Sequence, residues 1–189
     1  MSQIKLTADS GGGTVAIKAP ASTTSNGAFE LTLPGTGNRG LGTILQNVSA
    51  VHSSQVETTS SSYVDTGLTA SITTTGSNKV LIFVAQSLEA RQYNATGFAG
   101  CGLILVRTTS GSATTLYTGT RACVTSGPGS GSYFVASSCI ASIVHEDSPG
   151  AGTHTYKTQI KRSLGGSGTT ARANSDGTHS RIILMEVAA

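Results

Sequence analysis

The chain has 189 residues, of which only 11% are charged, and its formal net charge is +3. The few charges are scattered and form no basic run, which argues against a protein that binds nucleic acid electrostatically. Ser and Thr together account for 54 residues and Gly for 24, whereas hydrophobic residues make up 37% and Trp is absent. This composition predicts an all-β protein rich in turns, whose lean core is completed by a partner subunit.

The N-terminal segment predicts a small β-structured arm over residues 1–45. Residues 4–7 and 15–19 alternate apolar and polar side chains on either side of the glycine run 11–13, and residues 29–34 alternate again before the Gly-rich stretch 35–42. Alternation with period two is typical of strands with one buried face. Three strands of about five residues are too few to bury their apolar faces alone, so we expect this arm to serve attachment or trimerisation. Its candidate contact residues are Ile4, Leu6, Val15, Ile17, Phe29, Leu31 and Leu33.

From residue 46 to residue 189 the pattern predicts one β-sandwich, most simply of the jelly-roll type. Strands are expected near 44–51, 55–59, 62–73, 79–89, 98–108, 113–124, 132–145, 153–161, 169–174 and 180–187, with turns rich in Gly, Ser and Asn between them. Eight to ten short strands at this spacing favour a sandwich. The runs 79–85 and 181–187 are almost continuously apolar, which predicts strands covered on both faces or strands at the centre of the sandwich.

The start of the chain and its cysteines bear on its location. Residues 1–5 lack the charged start and apolar core of a signal peptide, and no apolar run approaches the roughly 18 residues of a membrane helix. We therefore expect no membrane insertion. Cys101, Cys123 and Cys139 lie in apolar stretches; the favoured interpretation is buried thiols in a reducing cytosol, and one disulfide is the open alternative.

Several short segments of the chain form a set that occurs together in one class of proteins. In the arm these are residues 4–20 (IKLTADSGGGTVAIKAP) and 29–34 (FELTLP). In the remainder they are 42–46 (GTILQ), 61–68 (SSYVDTGL), 77–82 (SNKVLI), 147–149 (DSP), 155–159 (TYKTQ) and 182–186 (IILME). With these segments the chain resembles virion surface proteins of tailed bacteriophages, of the kind that infect marine cyanobacteria. The resemblance covers nearly the whole chain and implies a homotrimer of the decoration or fibre type.

The same resemblance implies the partners and the location. Other copies of the chain and the major capsid protein, or other virion proteins, are the expected partners, and a host surface glycan is left open as a further one. The protein is then expected on the virion surface after assembly in the host cytoplasm. A capsid decoration, or cement, protein is the favoured function, since the chain lacks a long shaft, and a receptor-binding tail-fibre or head-fibre tip is the alternative.

The residues offer little that points to an enzyme. His145, Glu146 and Asp147 are a compact acid–base cluster, but they alternate between faces at a predicted strand end beside solvent. Replacing all three by Ala is therefore expected to cost about 1 kcal/mol at most. A hairpin could bring His154 near His145 and create a metal site, which is the open alternative. Ser130 lies between glycines without the strand-to-helix turn of a hydrolase nucleophile, and a glycan-degrading enzyme would need paired carboxylates. We expect no catalytic residues, no cofactor and no metal.

Three tyrosines are candidates for ligand binding in an otherwise non-enzymatic protein. Tyr93, Tyr117 and Tyr133 are candidates for a glycan site in loops. The alternative, which the sequence favours, is that their rings pack on the sandwich or at its edge.

Overall fold

A computed structural model describes the backbone of residues 3–7 and 14–18 and, in full, residues 44–93, 97–127 and 134–188. The chain divides into two compact units, Met1–Arg39 and Gly40–Ala189, and each is described by itself.

The first unit contains a two-stranded antiparallel ladder. Strand β1 (Gln3–Thr7) pairs with β2 (Thr14–Lys18), so that Ile4 lies opposite Ile17 and Leu6 opposite Val15. These two strands confirm the first part of the predicted arm. The third predicted strand, with Phe29, Leu31 and Leu33, lies outside the described residues.

The second unit is a β-sandwich, and each strand predicted from the sequence after residue 43 has a counterpart in it. A single 3-10 turn, Ser175–Gly177, lies between the last two strands. The strands are β3 (Ile44–His52), β4 (Val56–Thr58), β5 (Val64–Thr74), β6 (Lys79–Tyr93), β7 (Gly97–Thr109), β8 (Ser112–Gly127), β9 (Phe134–Asp147), β10 (Gly152–Leu164), β11 (Thr169–Ala173) and β12 (Ser180–Val187).

All strand pairs of the sandwich are antiparallel, and they form two sheets. The smaller sheet has the order β5-β10-β7-β8. In the larger sheet β9 covers one edge of β6 along its whole length, while β12 and β11 share the other edge; β3 extends the sheet beyond β12 and β4 beyond β11. Without β4 and β11, the two four-stranded sheets β3-β12-β6-β9 and β5-β10-β7-β8 have the interleaved strand order of a jelly roll.

The core lies between the inner faces of the two sheets. Leu68 and Ile72 of β5, Ile82 of β6, Leu103 of β7 and Ile182 of β12 are all buried there. Each strand contributes alternate residues, as its period-two pattern requires. Burying one such side chain contributes about 1.5–3 kcal/mol, so this interface supplies most of the driving force for folding. No helix among the described residues has the length and apolar character needed to cross a membrane.

The three cysteines lie together where β7, β8 and β9 approach one another. Cys101 and Cys123 are ladder partners and are buried, whereas Cys139 is half-buried, and all three are free thiols. The Cys123 thiol donates to the Ser137 carbonyl (3.0 Å) and the Cys139 thiol to the Ala122 carbonyl (3.3 Å). Burial raises the pKa of Cys139 to about 12 and also raises that of Cys101. The thiols of Cys101 and Cys139 therefore stay protonated at neutral pH and are poor nucleophiles.

A buried carboxylate ties β12 to the turn between β5 and β6. Glu186 accepts hydrogen bonds from Gln46 Nε2 (2.5 Å), the Thr75 amide (2.8 Å) and Asn78 Nδ2 (2.8 Å). These bonds, that from Gln46 foremost, lower the pKa of Glu186 from 4.5 to about 2. Because the folded-state pKa is depressed, the charged carboxylate stabilises the fold above pH 4.5, and this stabilisation is lost as the pH falls toward 2.

We therefore expect the thermal midpoint to decline as the pH is lowered from 5 to 2, and the decline to be smaller in Glu186→Gln. Gln46→Ala removes the strongest donor and moves the folded-state pKa of Glu186 back toward 4.5, so in this variant the decline should be smaller and should level off at higher pH than in the wild type. Differential scanning calorimetry across this range measures both effects. A wild-type acid limb that Glu186→Gln leaves unchanged would contradict the assignment.

Candidate functional site

The outer face of the larger sheet carries the most distinctive surface of the sandwich. In β9 this face consists of every second residue from Phe134 to Glu146, and these residues are exposed. The register places them beside the outward residues of β6, which in turn lie beside those of β12 and β11. This face divides into an apolar part and a part that combines aromatic and charged side chains.

The apolar patch consists of Phe83, Ile140, Val144 and Ile183. Val144, Phe83 and Ile183 are successive ladder partners across β9, β6 and β12. Val144 is 75% exposed, Ile140 71% and Phe83 37%. A shallow cavity of about 230 Å³ lies over this row and is also lined by Ala85, Ser142 and Arg181. Exposed apolar side chains of this size, grouped on one face, are typical of a surface that contacts another molecule.

The apolar runs of β6 and β12 predicted strands that are covered on both faces or that lie at the centre of the sandwich. Both strands have neighbours along each edge, but the described residues cover only their inner face. Ile82 and Ile182 are buried in the core, whereas Phe83 is exposed and Ile183 partly exposed. The residues that the pattern expected to be buried are therefore those that a partner would have to cover.

The aromatic cavity lies at the other end of the same face and has a volume of about 330 Å³. Tyr93 of β6 and Phe134 of β9 are ladder partners and form one wall. Next to them Thr170 of β11 lies opposite Arg91 of β6, and the Gly168 carbonyl accepts the Tyr93 amide (2.7 Å). The complete lining is Glu57, Arg91, Tyr93, Phe134, Gly168, Thr170 and Arg172.

A row of alternating charges crosses β4, β11 and β6 beneath this cavity. Arg172 pairs with Glu57 and lies 3.8 Å from Glu89, whose carboxylate also accepts Arg91 Nε (2.7 Å). Ser138 Oγ donates to the same carboxylate (3.3 Å). Glu89 is buried, while both arginines retain some exposure. Two guanidinium groups therefore balance two carboxylates, and the cavity has no excess of either charge.

The His145-Glu146-Asp147 cluster alternates faces as expected, but the expectation that all three lie beside solvent is wrong. Glu146 is on the outer face and pairs with Lys79 (2.6 Å), with both side chains about half exposed. Asp147 instead points between the sheets and is buried. Its carboxylate accepts Arg107 Nη1 (2.7 Å) and the Tyr156 hydroxyl (2.9 Å), both from the smaller sheet.

His145 and His154 are not joined in a hairpin, because β9 belongs to the larger sheet and β10 to the smaller one. His154 is fully buried, and its ring nitrogens lie 2.8 Å from Thr109 Oγ1 and 3.1 Å from both Thr74 Oγ1 and the Gly150 carbonyl. In the described ranges there is no group of three His, Cys, Asp or Glu side chains that could hold a metal ion.

The other residues singled out in the sequence are divided between described and undescribed segments. The expectation that these tyrosines lie in loops is wrong for Tyr93 and Tyr117, which lie on β6 and β8. Both are exposed, and Tyr93 lines the aromatic cavity. Tyr133 and Ser130 lie outside the described residues. Sequence reasoning did not identify Glu57, Arg91, Phe134 or Arg172 as site residues, because four separate strands contribute them and no local motif connects them.

Comparison with known proteins finds only distant structural similarity. No protein-family profile matches the sequence, and no curated protein matches it either. Solved structures with partial similarity include infectious bursal disease virus, strain Gx (11% identity, TM-score 0.31), and the VP2 subviral particle of the same virus (11%, 0.30). The matches cover 93% of this chain and 48% and 47% of those chains, so this chain spans less than half their length. At these values the similarity assigns neither a family nor a function.

The buried position of Asp147 generates a stability prediction. Asp147→Ala leaves a partly buried Arg107 cation and the buried Tyr156 hydroxyl without their acceptor, so we expect a loss of about 3–5 kcal/mol. The matched control is Glu146→Ala on the same strand, which breaks an exposed ion pair and should cost about 1 kcal/mol or less. Urea unfolding of the two variants measures the difference. Equal and small losses would restore the solvent-exposed interpretation of the whole cluster.

Proposed function

We propose that this chain is a non-enzymatic structural protein of a tailed-phage virion, and that it is a homotrimeric capsid decoration protein on the particle surface. The observation that carries the proposal is the apolar patch of Phe83, Ile140, Val144 and Ile183 on a chain with few charges. The segments that resemble phage virion proteins support the virion assignment, and the sandwich fold suits a rigid surface module.

The occupant of the apolar patch is a second copy of the chain. The patch lies on a sheet face, so three copies can meet around one axis and each can cover its neighbour without changing its own core. Its central residues are apolar while Lys79 and Glu146 flank it, an arrangement typical of an interface with an apolar centre and a polar rim. The low hydrophobic content of 37% is then explained, because part of the apolar core forms only when the copies associate.

The arm has the role of attachment in this proposal. Its contact residues toward the major capsid protein or a neighbouring copy are Ile4, Leu6, Val15, Ile17, Phe29, Leu31 and Leu33. Short strands with free edges can add to the sheet of another protein, and this mode of binding relies on backbone pairing and apolar burial more than on charge.

A receptor-binding tail-fibre or head-fibre tip is the second candidate function. It is favoured by the exposed aromatic rings of Tyr93 and Phe134, which are not needed for attachment to a shell. Both candidates share the trimer and differ in their position on the virion.

The trimer is tested by multi-angle light scattering of the full chain at micromolar concentration. We expect about three times the chain mass of 19.0 kDa. Val144→Asp places a charge in the apolar patch and should shift the population toward monomers, because an unpaired charge at a buried interface is costly. Val124→Asp, at an exposed position of β8 on the smaller sheet, is the matched control and should leave the trimer intact. A wild-type monomer would overturn this part of the proposal.

The position on the virion is tested by the amount of protein per particle. A decoration protein covers the shell, so its band on a quantitative gel of purified virions should be comparable with that of the major capsid protein, whereas a fibre tip would be far weaker. The arm is tested in the full chain by Leu6→Asp combined with Ile17→Asp, which should abolish binding to undecorated particles. Thr7→Asp, next to Leu6 on β1, is the control and should leave binding unchanged. Normal decoration by the double variant would refute the role of the arm.

A further inference from the structure

The aromatic cavity, with its lining residues given above, has no role in the trimer or in the attachment arm. It lies at one end of the outer face of the larger sheet, and the apolar patch lies at the other. The rings of Tyr93 and Phe134 are 59% and 54% exposed, respectively. Two large neighbouring rings that remain this exposed leave apolar area in water, which a folded protein seldom does without a ligand.

The Phe134 ring and the backbone of Tyr93 are held in place by contacts within the sheet. Tyr93 and Phe134 are ladder partners at the ends of β6 and β9. The Arg91 guanidinium lies 4.6 Å from the centre of the Phe134 ring, within the range of a cation–π contact. The Tyr93 backbone is fixed by the bond from its amide to the Gly168 carbonyl. A preformed aromatic wall reduces the entropy that binding would otherwise cost.

The polar floor of the cavity has hydrogen-bonding groups but no net charge. Arg91 and Arg172 are compensated by Glu57 and Glu89 through the contacts described above. The Glu57 side chain is 37% exposed, that of Arg91 22% and that of Arg172 15%. These groups can therefore accept hydrogen bonds from a ligand and donate to it while their charges stay balanced.

We propose that the aromatic cavity binds a neutral sugar unit of a glycan. A pyranose ring has an apolar face of C–H groups that stacks on an aromatic ring, and hydroxyl groups around its edge that both donate and accept hydrogen bonds. The wall of Tyr93 and Phe134 suits the first feature and the floor of Arg172, Thr170 and Glu57 suits the second. A volume of about 330 Å³ lies at the small end of the range for ligand pockets and accommodates one sugar unit.

The charge balance selects against other ligands. A phosphate or a sialic acid would have to approach arginines whose charge is already neutralised by carboxylates, and it would be repelled by Glu57, which also lines the cavity. A purely apolar partner would bury the charge row without replacing its contacts with water. The shared chemistry of a wall that stacks and a neutral polar floor thus favours a polyhydroxylated, uncharged ligand.

This inference does not depend on whether the protein decorates a capsid or forms a fibre tip. It requires only that the cavity remains open in the assembled protein. Failure of the gel or light-scattering tests would leave it standing, and failure of the sugar test would leave the virion assignment standing.

The test is isothermal titration of the full-length protein with neutral oligosaccharides: maltohexaose, cellohexaose, laminarihexaose, mannohexaose and chitohexaose. We expect at least one to bind with a Kd of about 1 mM or tighter. Tyr93→Ala and Phe134→Ala should each weaken that binding at least about tenfold, whereas Tyr117→Ala, which removes an exposed tyrosine from β8, should not. Thermal midpoints and light scattering verify that each variant is folded, and Tyr93→Leu and Phe134→Leu, which keep an apolar side chain but remove the ring, provide milder changes if either alanine variant unfolds.

Three outcomes would overturn the proposal. The first is that none of the five oligosaccharides binds. The second is that binding is the same as in the wild type in Tyr93→Ala and Phe134→Ala, or in the leucine variants that replace them. The third is that inorganic phosphate or sialyllactose binds in preference to the neutral sugars and loses affinity in the same variants, which would identify an anion site instead.

Discussion

The register of β6 is the constraint on which both surface features depend. This strand has 15 residues, pairs with β9 along one edge and is shared by β12 and β11 along the other. A shift of one residue would turn Ile82 and Val84 outward and Phe83 and Arg91 inward, which would empty the core and bury a cation. The same register that fills the core therefore fixes the apolar patch at one end of the outer face and the aromatic cavity at the other.

Polar contacts between the two sheets fix the position of one sheet relative to the other. Asp147 joins the larger sheet to Arg107 and Tyr156 of the smaller one. Deeper in the core, Thr158 Oγ1 of β10 donates to Gln86 Oε1 of β6 (2.7 Å), and the Thr158 hydroxyl lies 2.6 Å from that of Thr66 on β5. Apolar side chains can slide past one another at little cost, whereas buried polar groups lose their partners if they move. The abundance of Thr and Ser is thus explained in part by the interior and in part by the turns.

The strands could be predicted from the sequence because the information for each is local. Alternation and turn residues placed every strand after residue 43, although β6 continues to Tyr93 and β9 to Asp147, beyond the predicted ends at 89 and 145. The environment of Asp147 could not be predicted, since its partner Arg107 lies 40 positions earlier on the other sheet. The aromatic cavity could not be predicted for the same reason: Glu57, Arg172, Arg91 and Phe134 become neighbours only through the pairing of four strands. Tyr93, which the sequence did single out, is the one lining residue recognisable by type alone.

The strict alternation of β9 has a consequence for how such a protein diversifies. Its outward residues, from Phe134 through Ile140 to Val144, are exposed, while Ile143 and Asp147 on the other face are buried. Substitutions at the outward positions therefore alter what the protein contacts and leave the packing between its two sheets unchanged. Near Ile140 and Val144, where the proposed trimer contact lies, a change has to be matched by the neighbouring copy, whereas the end near Phe134 can vary with the ligand while the same sandwich is inherited.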